Sequence, residues 1–264
     1  MSDQMDLRSF KIPLGKLAPL EKFRTRQGDT LTYRFYPAWC EDLVILYHGA
    51  GSDSRYMCVL ADAIAKSGVA NVVTPDLRGH GGSLNLNTDT ISQSQLEIDM
   101  EELLIHIKMQ RSISRLTLAG HSMGGGFTLR IATSALGKQF YKFVALAPHL
   151  PDHLQTNQPG YGGWITAGEN GSFNVNFPEA MRTGNERLHY SAQYLKAVHA
   201  PDDVMEKIKA LHPNLYVVTG GKDEVINAEK QKELFAHTDV KFLLLESLNH
   251  ISIVSKVDGY LSVF

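Results

Sequence analysis

Six apolar runs, several of them rich in β-branched residues, recur along the chain: LVILYH (43–48), ANVVTP (70–75), RLTLAG (115–120), FVALAP (143–148), LYVVTG (215–220) and KFLLLE (241–246). Runs without polar alternation suit strands covered on both faces. Helix-like stretches separate them at about 54–67, 91–110, 122–136 and 227–236, and the second of these carries apolar Ile91, Leu96, Ile98, Leu103, Leu104 and Ile107. Strand and helix in alternation call for parallel βαβ units with right-handed crossovers, hence an α/β fold. DTLTYRFYPA (29–38) alternates instead and reads as part of an antiparallel edge hairpin, with Gly28-Asp29 in its turn. With 264 residues, 43% of them hydrophobic, the chain can bury one large core, alone or with an insertion, and is too short for two full-size domains.

The rhythm breaks once. From Pro148 to Pro213 no buried strand is expected, and Gly160, Gly162, Gly163, Gly168 and Gly171 stand among Tyr161, Trp164, Phe173 and Phe177. This stretch reads as a loop followed by helices over roughly 179–210, inserted above the sheet. The expected division is a core of 1–148 and 213–264 with a cap insertion at 149–212. Insertions at strand ends often line binding sites.

Several function classes are disfavoured. A formal net charge of −2 offers no attraction for a polyanion, so nucleic acid is not an expected partner. The start, MSDQMDLRSFKIPLG, has no apolar run of signal-peptide length, and no later stretch approaches the ~18 apolar residues of a membrane span. A soluble protein of the cytoplasm, without stable membrane insertion, is expected. Cys40 and Cys58 are too few for a disulfide framework and lack metal-ligand spacing. No HExxH or carboxylate cluster points to a metal, and no cofactor is expected.

TLAGHSMGGGF (117–127) holds one serine among glycines, directly after an apolar run and before a helix-like stretch. A sharp strand-to-helix turn at Ser122 explains that composition. Strand and helix come too close for side chains at 120 and 124, and the hydroxyl is pushed out at the carboxyl edge of the sheet, near the amides of a helix N-terminus. A serine hydroxyl is a weak nucleophile until a base takes its proton and an acid orients that base. GGKDEVI places Asp223 just after one apolar run, with Glu224 as the rival acid, and LNHISI places His250 just after the last. Acyl transfer also needs donors for a developing oxyanion. The backbone amides of Ala50, in the Gly-rich YHGAGSDSRYM, and of Met123 are assigned that role. His48 reads as a structural hydrogen-bonding group, and Asp76, Arg78 and His80 of TPDLRGHGGS as a loop bracing the oxyanion region. Tyr56, Tyr161, Trp164, Phe173 and Phe177 are candidates for an apolar substrate wall, or alternatively for gluing the insertion to the sheet.

HGAG, PDLRGHGGS, GHSMGG, GGKDEVI and LNHISI, in this order at strand ends, resemble the α/β-hydrolase superfamily over nearly the whole chain from about residue 20. The RTRQGDTLTYRFYPA stretch and the GHSMGG turn look most like the monoacylglycerol lipase, lysophospholipase and serine-aminopeptidase-like group. The resemblance implies eight mostly parallel strands, a cap after the sixth, and a triad of Ser122, Asp223 and His250. It also implies hydrolysis of a small-molecule carboxylic ester of small to medium acyl length, a range that includes monoacylglycerols and lysophospholipids. The same triad serves carbon–carbon bond hydrolases and perhydrolases, and the fold also hosts non-catalytic small-molecule receptors. The glycine-rich start of the insertion argues against a large helical lid. Only fourteen residues follow His250 (264 − 250), so a short final helix is expected.

Overall fold

The computed structural model describes residues 13–83, 86, 88, 90–154, 156–179, 182–209 and 214–264, apart from the side chains of Leu14 and Tyr161. The chain opens with β1 (Leu20–Arg24) and β2 (Thr30–Tyr36), an antiparallel pair that turns at Gly28, where φ is +91°. Then follow β3 (Leu43–Tyr47), α1 (Cys58–Lys66), β4 (Asn71–Pro75), α2 (Gln95–Gln110), β5 (Leu116–His121), α3 (Met123–Ala132) and β6 (Lys142–Leu146). Next come three short strands, β7 (Ile165–Ala167), β8 (Phe173–Val175) and β9 (His189–Tyr190), and two helices, α4 (Ala192–Val198) and α5 (Val204–Lys209). The chain returns through β10 (Leu215–Gly220), α6 (Ala228–Phe235) and β11 (Lys241–Leu245).

Eight strands form one sheet in the order β1-β2-β4-β3-β5-β6-β10-β11. β2 pairs antiparallel with both β1 and β4, and every pairing from β4 to β11 is parallel. The six apolar runs are these six parallel strands. All residues of β3 and β5 are buried, whereas β11, at the edge, is only half-buried. That difference accounts for unbroken apolar runs at the centre. α2 turns Leu96, Met100, Leu103, Leu104 and Ile107 inward, an i, i+4, i+7, i+8, i+11 stripe. After β3 the chain moves outward to β4 and then crosses back to β5 on the other side. The carboxyl ends of β3 and β5 therefore flank a topological switch point, where open α/β sheets place their ligands.

Two expectations are corrected. The stretch between β6 and β10 contains strands, which the sequence pattern hides: β7, β8 and β9 make a separate antiparallel sheet, and helix starts at Ala192. Strands of two or three residues are too short to carry a periodicity. Beyond His250, the described residues form 3-10 turns at Ser252–Val254 and Leu261–Val263 in place of a final α-helix. Among the described residues no helix is long and apolar enough to cross a membrane.

The junction of β5 and α3 determines the rest of the site. Tyr47 at the end of β3 lies opposite Gly120 of β5, and α3 leaves directly above them. A Cβ at Gly124 would stand 2.6 Å from the carbonyl oxygen of His48 and 2.7 Å from that of Tyr47, and both are backbone atoms that cannot swing away. Glycine lets the helix start this close to the sheet. Between strand and helix Ser122 has φ 54° and ψ −115°, a conformation that side chains rarely adopt. Its amide donates to Leu146 O (2.9 Å), and its carbonyl accepts from the amides of Gly126 (2.9 Å) and His149 (3.0 Å). Three backbone bonds hold a turn whose strain costs about 1–3 kcal/mol.

That strain predicts a stability difference between two variants that both lack the hydroxyl. Ser122→Gly relieves it and Ser122→Ala keeps it, so with roughly 1 kcal/mol remaining after the unfolded-state entropy of glycine, the glycine variant should melt about 2–4 °C higher. Scanning calorimetry on the two proteins checks this, and an equal or lower melting temperature for the glycine variant would show the turn to be unstrained.

Candidate active site

Asp223 and His250 leave the carboxyl ends of neighbouring strands β10 and β11 and meet in the interior. Asp223 Oδ1 accepts from the amides of Val225 (2.9 Å) and Ile226 (2.7 Å), which leaves Oδ2 facing His250 Nδ1 at 2.8 Å. The exposures of the two side chains are 0% and 2%. A carboxylate oxygen only accepts, so Nδ1 carries a proton, and in the neutral form of the ring Nε2 is the acceptor. Glu224, the rival acid, touches His250 elsewhere: its carboxylate accepts from the His250 backbone amide at 3.1 Å. His121 Nε2 donates to the His250 carbonyl at 2.8 Å, with the two rings 4.7 Å apart. Backbone and side chain of His250 are thus held from three directions.

Ser122 and His250 line one narrow cavity together with Gly49, Ala50, Ser52, Tyr56, Met57, His121, Trp164, Ile251 and Val254. Its free space is about 20 Å³, room for about one water molecule. Among the described residues no direct hydrogen bond joins Ser122 Oγ to His250. Such contacts are often long before substrate arrives.

The loop after β3 faces the same space. A Cβ on Gly49 would lie 3.2 Å from Ser122 Cβ, so this loop passes directly beside the serine. His48 is fully buried, and its Nε2 accepts from the Leu77 amide at 3.1 Å. The ring proton is therefore on Nδ1, which donates to Gly49 O at 2.9 Å. Ser52 Oγ donates to the same carbonyl at 2.8 Å. In a trans peptide C=O and N–H point in opposite directions, so pinning the Gly49 carbonyl from one side aims the Ala50 N–H to the other. Met123, the second assigned donor, is the first residue of α3, where amides lack intrahelical partners and the helix dipole favours negative charge.

The Asp76 loop braces this region from below. Asp76 accepts from the amides of Ser54 (2.8 Å) and Gly82 (3.0 Å) and from Thr32 Oγ1 (2.7 Å). Arg78 makes a bidentate pair with Asp99, at 2.8 Å from both Nε and Nη2, and a third bond to Asp29 at 2.6 Å. With its guanidinium committed to two carboxylates, Arg78 is not available as a substrate anchor.

The five aromatic candidates divide. Tyr56 and Trp164 stand on the wall of the serine cavity. Phe177 lies behind them, 5.3 Å from Trp164 and 6.1 Å from Tyr56 by ring centroids, and Phe173 faces a separate cavity of about 790 Å³ between α4 and the small sheet. The Tyr161 side chain is outside the described residues. The larger space is lined by none of Ser122, Asp223 or His250. Sequence reasoning passed over Ser52, Met57, His121, Ile251 and Val254. The last two lie within four residues of His250 in HISIV, and that proximity was the available signal.

Burial pushes the imidazoles of His48, His80, His121 and His199 below their ordinary pKa, and that of His149 down to about 4. A depressed histidine pKa means that the unfolded chain binds the proton more readily than the folded one. Stability is then complete above the ordinary value of 6.5 and declines as pH falls from 6.5 toward 4, the window set by His149. Urea midpoints should drop steadily across that range, and a flat profile would contradict neutral burial of these rings.

The protein phosphatase methylesterase 1 of Bos taurus is 29% identical over 106 residues, 40% of this chain but only 28% of that protein. The aligned stretch therefore spans less than a third of this curated relative. Among solved structures, a hydrolase from Pseudomonas aeruginosa superposes with a TM-score of 0.65 at 19% identity, covering 92% of this chain and 96% of its own. A soluble variant of monoglyceride lipase from Saccharomyces cerevisiae gives 0.65 at 15% identity, covering 91% and 92%. At these identities the likeness is one of fold. The family model "Serine aminopeptidase, S33" matches residues 40–171, which is 132 of 264 residues and takes in the stretch from the loop after β3 through the Ser122 turn to the start of the insertion. With half of its length matched and the α/β-hydrolase architecture around it, the chain belongs to this family of hydrolases.

Proposed function

We propose that this protein is a serine hydrolase that cleaves carboxylic esters of small acyl groups through an acyl-enzyme on Ser122. The observation that carries this reading is the Asp223–His250 pair, which holds the imidazole through Nδ1 in a cavity that it shares with Ser122. Ser122 Oγ attacks the ester carbonyl as His250 Nε2 takes its proton. The amides of Ala50 and Met123 stabilise the tetrahedral oxyanion, and the imidazolium returns the proton to the departing alcohol. Water activated by the same histidine then releases the acid. A donor in such a hole contributes about 3 kcal/mol to lowering the barrier. Asp223 keeps the ring in the right tautomer and orientation.

The preference for a small acyl group rests on the walls. Tyr56, Met57, Trp164, Ile251 and Val254 crowd the space beside the serine, so a long acyl chain would have to displace an aromatic ring. The curated relative is named a methylesterase and the yeast neighbour a monoglyceride lipase, in line with ester cleavage.

Two measurements test the proposal. Intact-protein mass after exposure to a fluorophosphonate should show one adduct on the wild type and none on Ser122→Ala, and folded wild type that takes up none would refute an activated serine. With p-nitrophenyl esters, kcat/KM should be highest for acetate or propionate and fall by about 10-fold or more by octanoate, the order of ~1.4 kcal/mol. A rise toward octanoate would contradict the small-acyl reading.

A further inference from the structure

The loop carrying Ala50 is held at a second point, by a residue from the inserted segment. Tyr190, at the end of β9, is fully buried, and its hydroxyl accepts from the Gly51 amide at 2.8 Å. The same hydroxyl lies 2.6 Å from His80 Nε2. The direction of these bonds can be assigned. His80 Nδ1 faces the Arg78 carbonyl at 3.3 Å, which only accepts, so the ring proton is on Nδ1 and Nε2 is an acceptor. Tyr190 therefore donates to His80 and accepts from Gly51, and the chain runs Gly51 N–H to Tyr190 O–H to His80 to the Arg78 carbonyl. The phenol ring has little freedom: Arg187 lies over it with Cζ 4.9 Å from its centroid, and Phe173 and Tyr194 are 4.8 Å and 5.6 Å away.

The consequence concerns Ala50. His48 and Ser52 orient the peptide plane before it through the Gly49 carbonyl, and Tyr190 orients the plane after it through the Gly51 amide. With both flanking planes held, neither φ nor ψ of Ala50 can drift, and its N–H keeps one direction. Gly51 itself has φ +73°, and a Cβ there would stand 2.7 Å from Val175 Cγ1 of β8, so the insertion also packs directly on this turn.

We propose that Tyr190, relayed to His80, is a positioning residue for the oxyanion donor Ala50 N–H, so that the inserted segment takes part in turnover as well as in covering the site. This rests on the ester-hydrolase reading above. Tyr190→Phe removes only the hydroxyl and keeps the packed ring. It should lower kcat by about 10-fold, below the loss of a whole oxyanion donor, with KM nearly unchanged and the melting temperature lowered by only a few degrees for the two buried groups left unpaired. Hydrogen–deuterium exchange of the peptide containing Gly51 should quicken while the rest of the sheet keeps its protection. His80→Gln, which leaves an acceptor near the position of Nε2, should keep most of the wild-type rate.

Each contrary result is distinct. Unchanged kcat and unchanged exchange at Gly51 in Tyr190→Phe would overturn the proposal. So would a larger fall in melting temperature with exchange quickened throughout, which marks a packing role alone. His80→Gln as slow as Tyr190→Phe would overturn the relay. Wild type that takes up no fluorophosphonate would remove the ester-hydrolase reading and this inference with it, whereas a normal wild-type adduct and a normal Tyr190→Phe rate would remove the inference alone.

Discussion

The close approach of α3 to the carboxyl ends of β3 and β5 is the constraint on which the site depends. Because Gly124 lies against the carbonyls of Tyr47 and His48, the helix begins within a residue of the strand end, and Ser122 must take a positive φ to connect them. The strain at one residue is compensated by packing over the whole junction, where β3, β5 and most of α3 are buried. The same approach sets the loop after β3 directly beside the serine, and the helix starts at the next residue, Met123. On the proposed reading, nucleophile geometry and oxyanion geometry are one packing problem.

Around this junction the polar groups are paired in defined directions. Asp223 uses one oxygen for two backbone amides and the other for His250, so its carboxylate cannot rotate away from the ring. His48, His80 and His121 each have a nitrogen against a backbone carbonyl, and burial favours their neutral forms. In His48 and His80 the neutral ring is bonded at both ends, donating at Nδ1 and accepting at Nε2, and so acts as a rigid connector. A charged ring would offer two donors and break the pattern. The buried Arg78 with Asp99 and Asp29 ties the Asp76 loop to α2 and to the β1–β2 turn.

Much of the fold was legible because its signals are local. β3 reads as a strand from the apolar run LVILYH, α2 from the spacing of Ile91, Leu96, Ile98, Leu103, Leu104 and Ile107, and the close junction from glycines at 120 and 124. The strands β7 to β9 were not, since three residues such as FNV hold no period. Nor was the link from Gly51 to Tyr190, which spans 139 positions and leaves no trace in spacing. The aromatic residues of the insertion show the same limit. Composition marks Trp164, Phe173 and Phe177 alike, but only the course of the backbone decides that the first faces the serine cavity, the second another space and the third the packing between.

The central claim is that Ser122, the Asp223–His250 pair and the amides of Ala50 and Met123 act on one tetrahedral centre. A crystal structure of the phosphonylated protein tests it most directly, because the phosphonate reproduces that centre. The account predicts phosphorus bonded to Ser122 Oγ, one phosphonyl oxygen about 2.7–3.1 Å from both amides, and His250 Nε2 within reach of the serine oxygen. A phosphonate on another residue, or one on Ser122 whose oxygen turns away from both amides, would contradict it.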